Sequence, residues 1–296
     1  MNLSVAPKVT AKLYYEKELK DALTPTPQGP VPKTSGTVIN GNDKTLELGP
    51  KGRCIANFTT IRLEKVQRPD RGKNDELVTE QKYGIVFSME IRVRDQSYPL
   101  KALSLPIVLV SQTSQECMAK GTLIWDAAFS EMERTPFEYH PKAPWRDVKR
   151  VLSSLFEEQT GRGLNEDHLL YLARTIFRDK KRQQSNFDGL EVTEKQLIKD
   201  KMVSARPESF SFWKWFWANL NLCRDRVKTE WQDEIIHGFI SKDDARCRLE
   251  NQPLGTFLLR FSETSIEASQ KAEFCGHLTV AVVEIDPTIG QKSVFF

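Results

Sequence analysis

The chain has 296 residues, 39% hydrophobic and 28% charged, which calls for two or three domains at roughly 100–200 residues each and excludes a disordered chain. The densest apolar run, residues 104–110, falls far short of the ~18 residues that cross a bilayer, and MNLSVAPKVT has no apolar signal core, so neither membrane insertion nor export is expected. A net charge of +3 is too balanced to announce a nucleic-acid partner, and five scattered cysteines with no C-x-x-C pair argue against a disulfide framework or structural zinc.

The first 140 residues are expected to be β structure. Ile55, Asn57, Thr59, Ile61 and Leu63 mark one β-rich stretch. Tyr83, Ile85, Phe87, Met89, Ile91 and Val93 then occupy every second position, the period of a strand with one buried face, with Val86 interrupting the alternation. Residues 105–110 read as a short central strand buried on both faces, and residues 121–125 as another. Turns rich in Pro, Gly and Asn separate these runs near residues 24–30, 41–43, 49–52 and 68–74, so an antiparallel sandwich is expected. Between residues 51 and 73 lie Lys51, Arg53, Arg62, Lys65, Arg68, Arg71 and Lys73 against Glu64 and Asp70. Such a local excess is either a solvated strand face and loop or a phosphate-facing patch.

Near residue 141 the period changes. Trp145, Val148, Val151, Leu152, Leu155 and Phe156 recur at three- and four-residue spacing, as on an amphipathic helix. Asn165 can cap a second helix carrying Leu169, Leu172, Ile176 and Phe177 inward. After a basic connector over residues 178–184, Ser211 precedes Trp213, Trp215 and Trp217, with Trp231 beyond; aromatics this dense at helical spacing belong to a core. Ser241-Lys-Asp-Asp244 then has the spacing of a helix start. Residues 256–263 and 278–283 read as strands.

Within the first of these strands, Phe257, Leu259 and Phe261 share one face and Leu258, Arg260 and Ser262 the other. The Arg260 guanidinium cannot lose its proton, and leaving it unpaired in an apolar interior is costly. It must meet either a carboxylate of the protein, such as Glu263 or Glu250, or an incoming anion. A phosphate suits its planar fork, with Ser262 and Thr264 supplying hydroxyls and Lys242 a second positive charge. Enzyme chemistry finds no support. No cysteine is followed at the fifth position by arginine, the four histidines never fall at H-E-x-x-H spacing, and the kinase motifs are missing. Gly161-Arg-Gly163 lacks the third glycine of a dinucleotide loop, and Cys275 with His277 is no dyad. Neither an enzyme activity, a cofactor nor a metal is expected.

Gly255-Thr-Phe-Leu-Leu-Arg-Phe-Ser-Glu263 resembles the phosphotyrosine-binding strand of a Src-homology-2 domain, and Gly238-Phe-Ile-Ser-Lys242 is similar to the version found in signal transducers and activators of transcription (STATs). Upstream, Val78-Thr-Glu-Gln-Lys82, Ala102-Leu-Ser-Leu-Pro106 and the stretch from Thr122-Leu-Ile-Trp-Asp-Ala-Ala-Phe to Arg134-Thr-Pro-Phe137 resemble the STAT DNA-binding domain. Arg162-Gly-Leu and Phe212-Trp-Lys-Trp-Phe resemble the STAT linker. These likenesses run in the family's order from about Pro7 onward, and the wording Leu-Trp-Asp-Ala-Ala-Phe-Ser-Glu-Met is nearest the branch that answers prolactin, growth hormone and interleukin-4.

The resemblance implies a multidomain chain. An immunoglobulin-like antiparallel β-sandwich of the p53-like kind would span residues 1–140, an all-α linker residues 141–234, and a truncated α+β Src-homology-2 domain residues 235–296. It implies a transcription factor that shuttles between cytoplasm and nucleus and binds palindromic double-stranded DNA. Its Src-homology-2 domain would dock on phosphotyrosine peptides of cytokine receptors or of a second STAT in a dimer. On the family's pattern Arg260 falls on the phosphate-clamping arginine, Lys242 on the helix lysine, and Ser262, Glu263 and Thr264 on the phosphate loop, Thr264 standing where serine is more usual. For DNA, Lys101 lies where a loop approaches the groove, and Arg134 and Thr135 where half-site preference is tuned. The family's phosphate-contacting lysine falls near Thr10, with Lys12 two residues later on the same face, and Arg68, Arg71 and Lys73 are candidate phosphate contacts or import signals by charge alone. No tyrosine follows Arg260. The expectation is therefore of a fragment, truncated isoform or partial gene model without coiled coil or tail tyrosine. The alternative is a phosphotyrosine-binding adaptor or dominant-negative form without productive DNA binding.

Overall fold

The computed structural model describes residues 7–24, 31–39, 42–69, 77–131, 137–179, 184–202, 210–268 and 274–296. They form two compact units, residues 1–111 with 130–139 and residues 112–129 with 140–296. The units cut across the expected segments 1–140, 141–234 and 235–296: residues 112–129 go with the second unit, and the helical stretch shares that unit with the C-terminal sheet.

The first unit is built on β1 (Lys8–Tyr15), α1 (Glu16–Leu23), β2 (Thr37–Ile39), β3 (Asp43–Thr45), β4 (Glu47–Leu48), β5 (Cys54–Ile55), β6 (Arg62–Glu64), β7 (Lys82–Val93), β8 (Gln96–Leu103) and β9 (Ile107–Val108). Its main sheet runs β3-β1-β7-β8, antiparallel throughout, with β9 also paired to β7. On one face Ala11, Leu13, Tyr15, Tyr83 and Ile85 pack with Val38 and Leu63 of the separate β2–β6 pair. On the other face Tyr14 and Val86 pack with Leu19 and Ala22 of α1 and with Phe137. Val86 interrupts the alternation for this reason: helix α1, inside the stretch expected to be all β, covers the second face. Beyond Val86 the cover thins, with residues 87–89 half-buried, and every residue of β8 before Leu103 is exposed. Pro99 fits there because β8 is an edge strand that need not donate outward. The expected central strand at residues 105–110 is instead a two-residue edge pairing. Pro106, which has no N–H, interrupts it, and Leu105 is 85% exposed.

The second unit contains α2 (Glu116–Phe129), β10 (Lys142–Pro144), α3 (Trp145–Thr160), α4 (Glu166–Ile176), β11 (Glu191–Thr193), α5 (Glu194–Ile198), α6 (Phe212–Asp225), α7 (Lys228–Gln232), β12 (Ile236–Gly238), α8 (Lys242–Leu249), β13 (Phe257–Ala268), β14 (Phe274–Ile285) and β15 (Lys292–Phe295). Residues 121–125 are helical, not a strand. Cys117, Gly121, Thr122, Trp125 and Asp126 recur at helical spacing and are buried, whereas the β-branched and aromatic run Thr-Leu-Ile-Trp imitates a strand when read locally. Gly121 allows Trp213 to lie against α2, where the indole N–H donates to the Cys117 carbonyl at 2.7 Å. The linker is not purely helical, since β10 and β11 pair antiparallel at the N-termini of α3 and α5. The second sheet runs β12-β13-β14-β15, with β12 parallel to β13.

Aromatic packing joins the helices to this sheet. Phe156 lies 5.3 Å from Phe216, 5.4 Å from Trp231 and 5.6 Å from Phe239, and Phe239 lies 4.7 Å from Phe261 of β13. Helix starts are capped as their sequences predict. Ser211 accepts from Lys214 N–H, Ser241 from Asp244 N–H, and Asn165 from His168 N–H. In the last case the box is closed by histidine: His168 Nδ1 accepts from Asn165 N–H while Nε2 lies 2.6 Å from the His237 carbonyl.

Phe156→Ala should cost about 3–5 kcal/mol by leaving a cavity among aromatic neighbours. All six tryptophans belong to the second unit, so urea unfolding followed by tryptophan fluorescence reads that loss directly. Burial pushes the His168 imidazole down to about 4. The neutral ring is therefore favoured by folding, and its contribution is complete above pH ~6.5 and declines toward pH 4 at up to about 1.4 kcal/mol per pH unit. His168→Gln should flatten this part of the stability–pH curve, measured by the same unfolding experiment.

Candidate functional site

The arginine of β13 is fixed by three elements. Ser241 starts α8, and the carbonyl just before that cap, Ile240, accepts from Arg260 Nε at 3.0 Å and from Nη2 at 2.9 Å. From β14, Thr279, the register partner of Arg260, offers its hydroxyl to Nη1 at 3.5 Å. The balancing charge is Glu263, whose Oε1 accepts from Nη2 at 2.8 Å. Of the acids that could answer the guanidinium, the structure thus selects Glu263 rather than Glu250. The arginine side chain is 2% exposed and that of Glu263 35%, so a deeply buried cation is balanced by an acid at the rim. The same Oε1 accepts from the Tyr171 hydroxyl of α4 at 2.7 Å. Burial first, and the Glu263 charge second, hold the Tyr171 hydroxyl well above the usual tyrosine range, so it remains a donor.

The other expected pocket residues are only partly assembled. Ser262 is buried; its carbonyl accepts from Trp215 Nε1 at 2.7 Å and its hydroxyl from Thr264 N–H at 3.3 Å. Thr264 is exposed. Lys242 opens α8 two residues beyond Ile240, but its ammonium lies 5.5 Å over the Phe296 ring, beside the Arg246 guanidinium at 5.4 Å. Ile240 enters the site through its carbonyl just beyond β12 and Thr279 through its register with Arg260; the sequence signals neither directly, although the Ser-x-x-Asp start of α8 places the first. Nothing local signals Tyr171, 92 residues from Glu263.

In the first unit, register puts Thr10, Ser88 and Lys101 in one row across the sheet and Lys12, Val86 and Leu103 in another. Lys12 and Lys101 therefore share the sheet face that carries α1, with exposed Arg92 farther along β7. The Lys101 ammonium donates to the Ala22 carbonyl at 2.5 Å and to that of Leu23 at 3.4 Å, capping the C-terminus of α1. Arg68 is not brought to this face: it donates to the Leu109 carbonyl at 3.3 Å and its charge acts on Tyr83, on the opposite side. Arg71, Lys73, Arg134 and Thr135 lie outside the described residues. Among the described residues no cluster of His, Cys, Asp and Glu could hold a metal ion, and no helix is long and apolar enough to cross a membrane.

A β unit with lysines on one sheet face is continuous in sequence with a mixed helical unit that buries an arginine, and the two make a multidomain chain. Residues 1–110 match the family model for the STAT protein DNA-binding domain, and residues 132–216 that for the linker domain of signal transducer and activator of transcription. The human protein named signal transducer and activator of transcription 6 is 36% identical over 264 residues, covering 88% of this chain and 31% of that protein. The chain belongs to the STAT family, and it spans about a third of the length of this relative.

Because Lys101 caps α1, Lys101→Met should cost about 0.3–1 kcal/mol locally. Hydrogen exchange read by mass spectrometry should show faster exchange in α1 with the second unit unchanged. A lysine whose sole role is to meet a ligand would leave that exchange pattern as it is.

Proposed function

We propose that the chain is part of a sequence-specific, DNA-binding transcription factor of the STAT type. The match of residues 1–110 to the family's DNA-binding domain carries this reading. Lys12 and Lys101, in neighbouring rows of one sheet face, support it, since cations spaced along a face can follow a phosphate backbone. In this reading the first unit is the family's p53-like, immunoglobulin-like DNA reader, and a dimer would set two such readers on a palindrome. An adaptor that only binds phosphopeptides would leave residues 1–110 without a role.

The second part of the proposal is that β12, α8, β13, β14 and β15 form part of a Src-homology-2 domain whose Arg260 receives phosphotyrosine from a receptor or from another STAT. The present partner of Arg260 is Glu263, so this requires the acid to give way. Its position at the rim makes that feasible, while the two bonds to Ile240 keep the guanidinium aimed. Cytokine activation, the prolactin, growth hormone and interleukin-4 branch, and shuttling between cytoplasm and nucleus complete the reading.

Fluorescence anisotropy with duplex DNA across a salt series tests the DNA role. Lys12→Glu and Lys101→Glu should weaken binding to all sequences alike, and each lost phosphate contact should reduce the salt slope by about 0.9. Unchanged affinity and slope in both variants would overturn the assignment of this face. For the pocket, Arg260→Ala should abolish binding of a phosphotyrosine peptide while leaving the DNA titration intact.

A further inference from the structure

One oxygen of Glu263 serves two donors from different elements. Oε1 takes the Arg260 Nη2 hydrogen bond at 2.8 Å from within β13 and the Tyr171 hydroxyl at 2.7 Å from α4. We propose that Glu263 and Tyr171 form a counter-ion latch: Glu263 occupies the arginine in place of an anionic ligand, and Tyr171 is the positioning residue that holds it there. The ligand class is a phosphate monoester dianion presented on a peptide, as in phosphotyrosine. The inference rests on the pocket reading above and extends it to how affinity is set.

The chemistry is an exchange of anions. A dianion and a carboxylate cannot both sit on Nη2 without strong repulsion at low dielectric. Glu263 therefore swings toward solvent, where it is already partly exposed, and surrenders two charge-assisted hydrogen bonds. Arg260 keeps its Ile240 bonds, so its plane is set before and after the exchange. Thr279, at 3.5 Å, is a weak partner that a phosphate oxygen can replace. Tyr171 loses its acceptor at the same moment, so the position of α4 contributes to the cost of opening the pocket.

Calorimetric titration of the full chain with a phosphotyrosine peptide, against the unphosphorylated peptide, tests this. Glu263→Gln should bind about tenfold more tightly than the wild type and Tyr171→Phe about threefold, because a competing charge or its support is gone. The double variant should bind no more tightly than Glu263→Gln alone, a non-additivity that shows Tyr171 acting through Glu263. Circular dichroism establishes that each variant is folded, and Glu263→Asp, too short to span both donors, gives a second route to the same gain. If Glu263→Gln and Glu263→Asp bind no more tightly than the wild type while Arg260→Ala abolishes binding, the latch is wrong and the pocket stands. If Tyr171→Phe has the same effect with or without Glu263, its positioning role is wrong. Binding by Glu263→Gln but not by wild type would support the latch at its strongest. Failure of folded wild type and folded Glu263→Gln alike to bind would overturn the pocket reading and the latch together.

Discussion

A guanidinium removed from water must be answered in charge and in hydrogen bonds, and the second unit is arranged around that requirement. Arg260 donates its hydrogen bonds to the segment before α8 and to β14, and takes its charge balance from the rim of β13. These contacts fix where β12, α8 and β14 stand relative to β13. A buried ion pair is weak evidence for stability, because desolvation offsets much of its attraction. Here the base is buried and the acid lies at the rim, so water screens the carboxylate and not the guanidinium.

The aromatic cluster explains why the helical stretch and the C-terminal sheet form one unit. Phe156, Phe216, Trp231, Phe239 and Phe261 make a continuous contact from α3 through α6 and α7 to the segment just after β12 and into β13. Trp215 adds a hydrogen bond to the Ser262 carbonyl, beside the arginine. The linker therefore supports the arginine strand directly, and Tyr171 is one more expression of that support.

Legibility in the sequence followed the range of the interactions. Helix α3 is legible from apolar spacing and helices α4, α6 and α8 also from their caps, signals that lie within a few residues of one another. Strands β7, β13 and β14 were readable from alternation and β-branched runs. Helix α1 was not: its short Glu-Lys-Glu-Leu-Lys-Asp-Ala-Leu run follows a strand directly, and its value comes from covering Tyr14 and Val86. Residues 121–125 of α2 resemble a strand when read locally, because Trp213, whose contact with Cys117 spans 96 residues, belongs to their packing and not to their sequence neighbourhood. At the site, Arg260 was conspicuous as a charge in an apolar strand, and Glu263 was among its possible partners. Tyr171 was invisible because only the fold brings it near.

The hold of Lys101 on α1 ties two events together. An ammonium has three hydrogens, and the Ala22 and Leu23 carbonyls engage it from the end of a helix. A polyanion drawn to that nitrogen would compete with the helix terminus for the same charge. Docking on this side of the sheet and fraying of α1's last turn then become a single linked equilibrium, in which anything that tightens the helix end loosens the grip on the polyanion by the same factor.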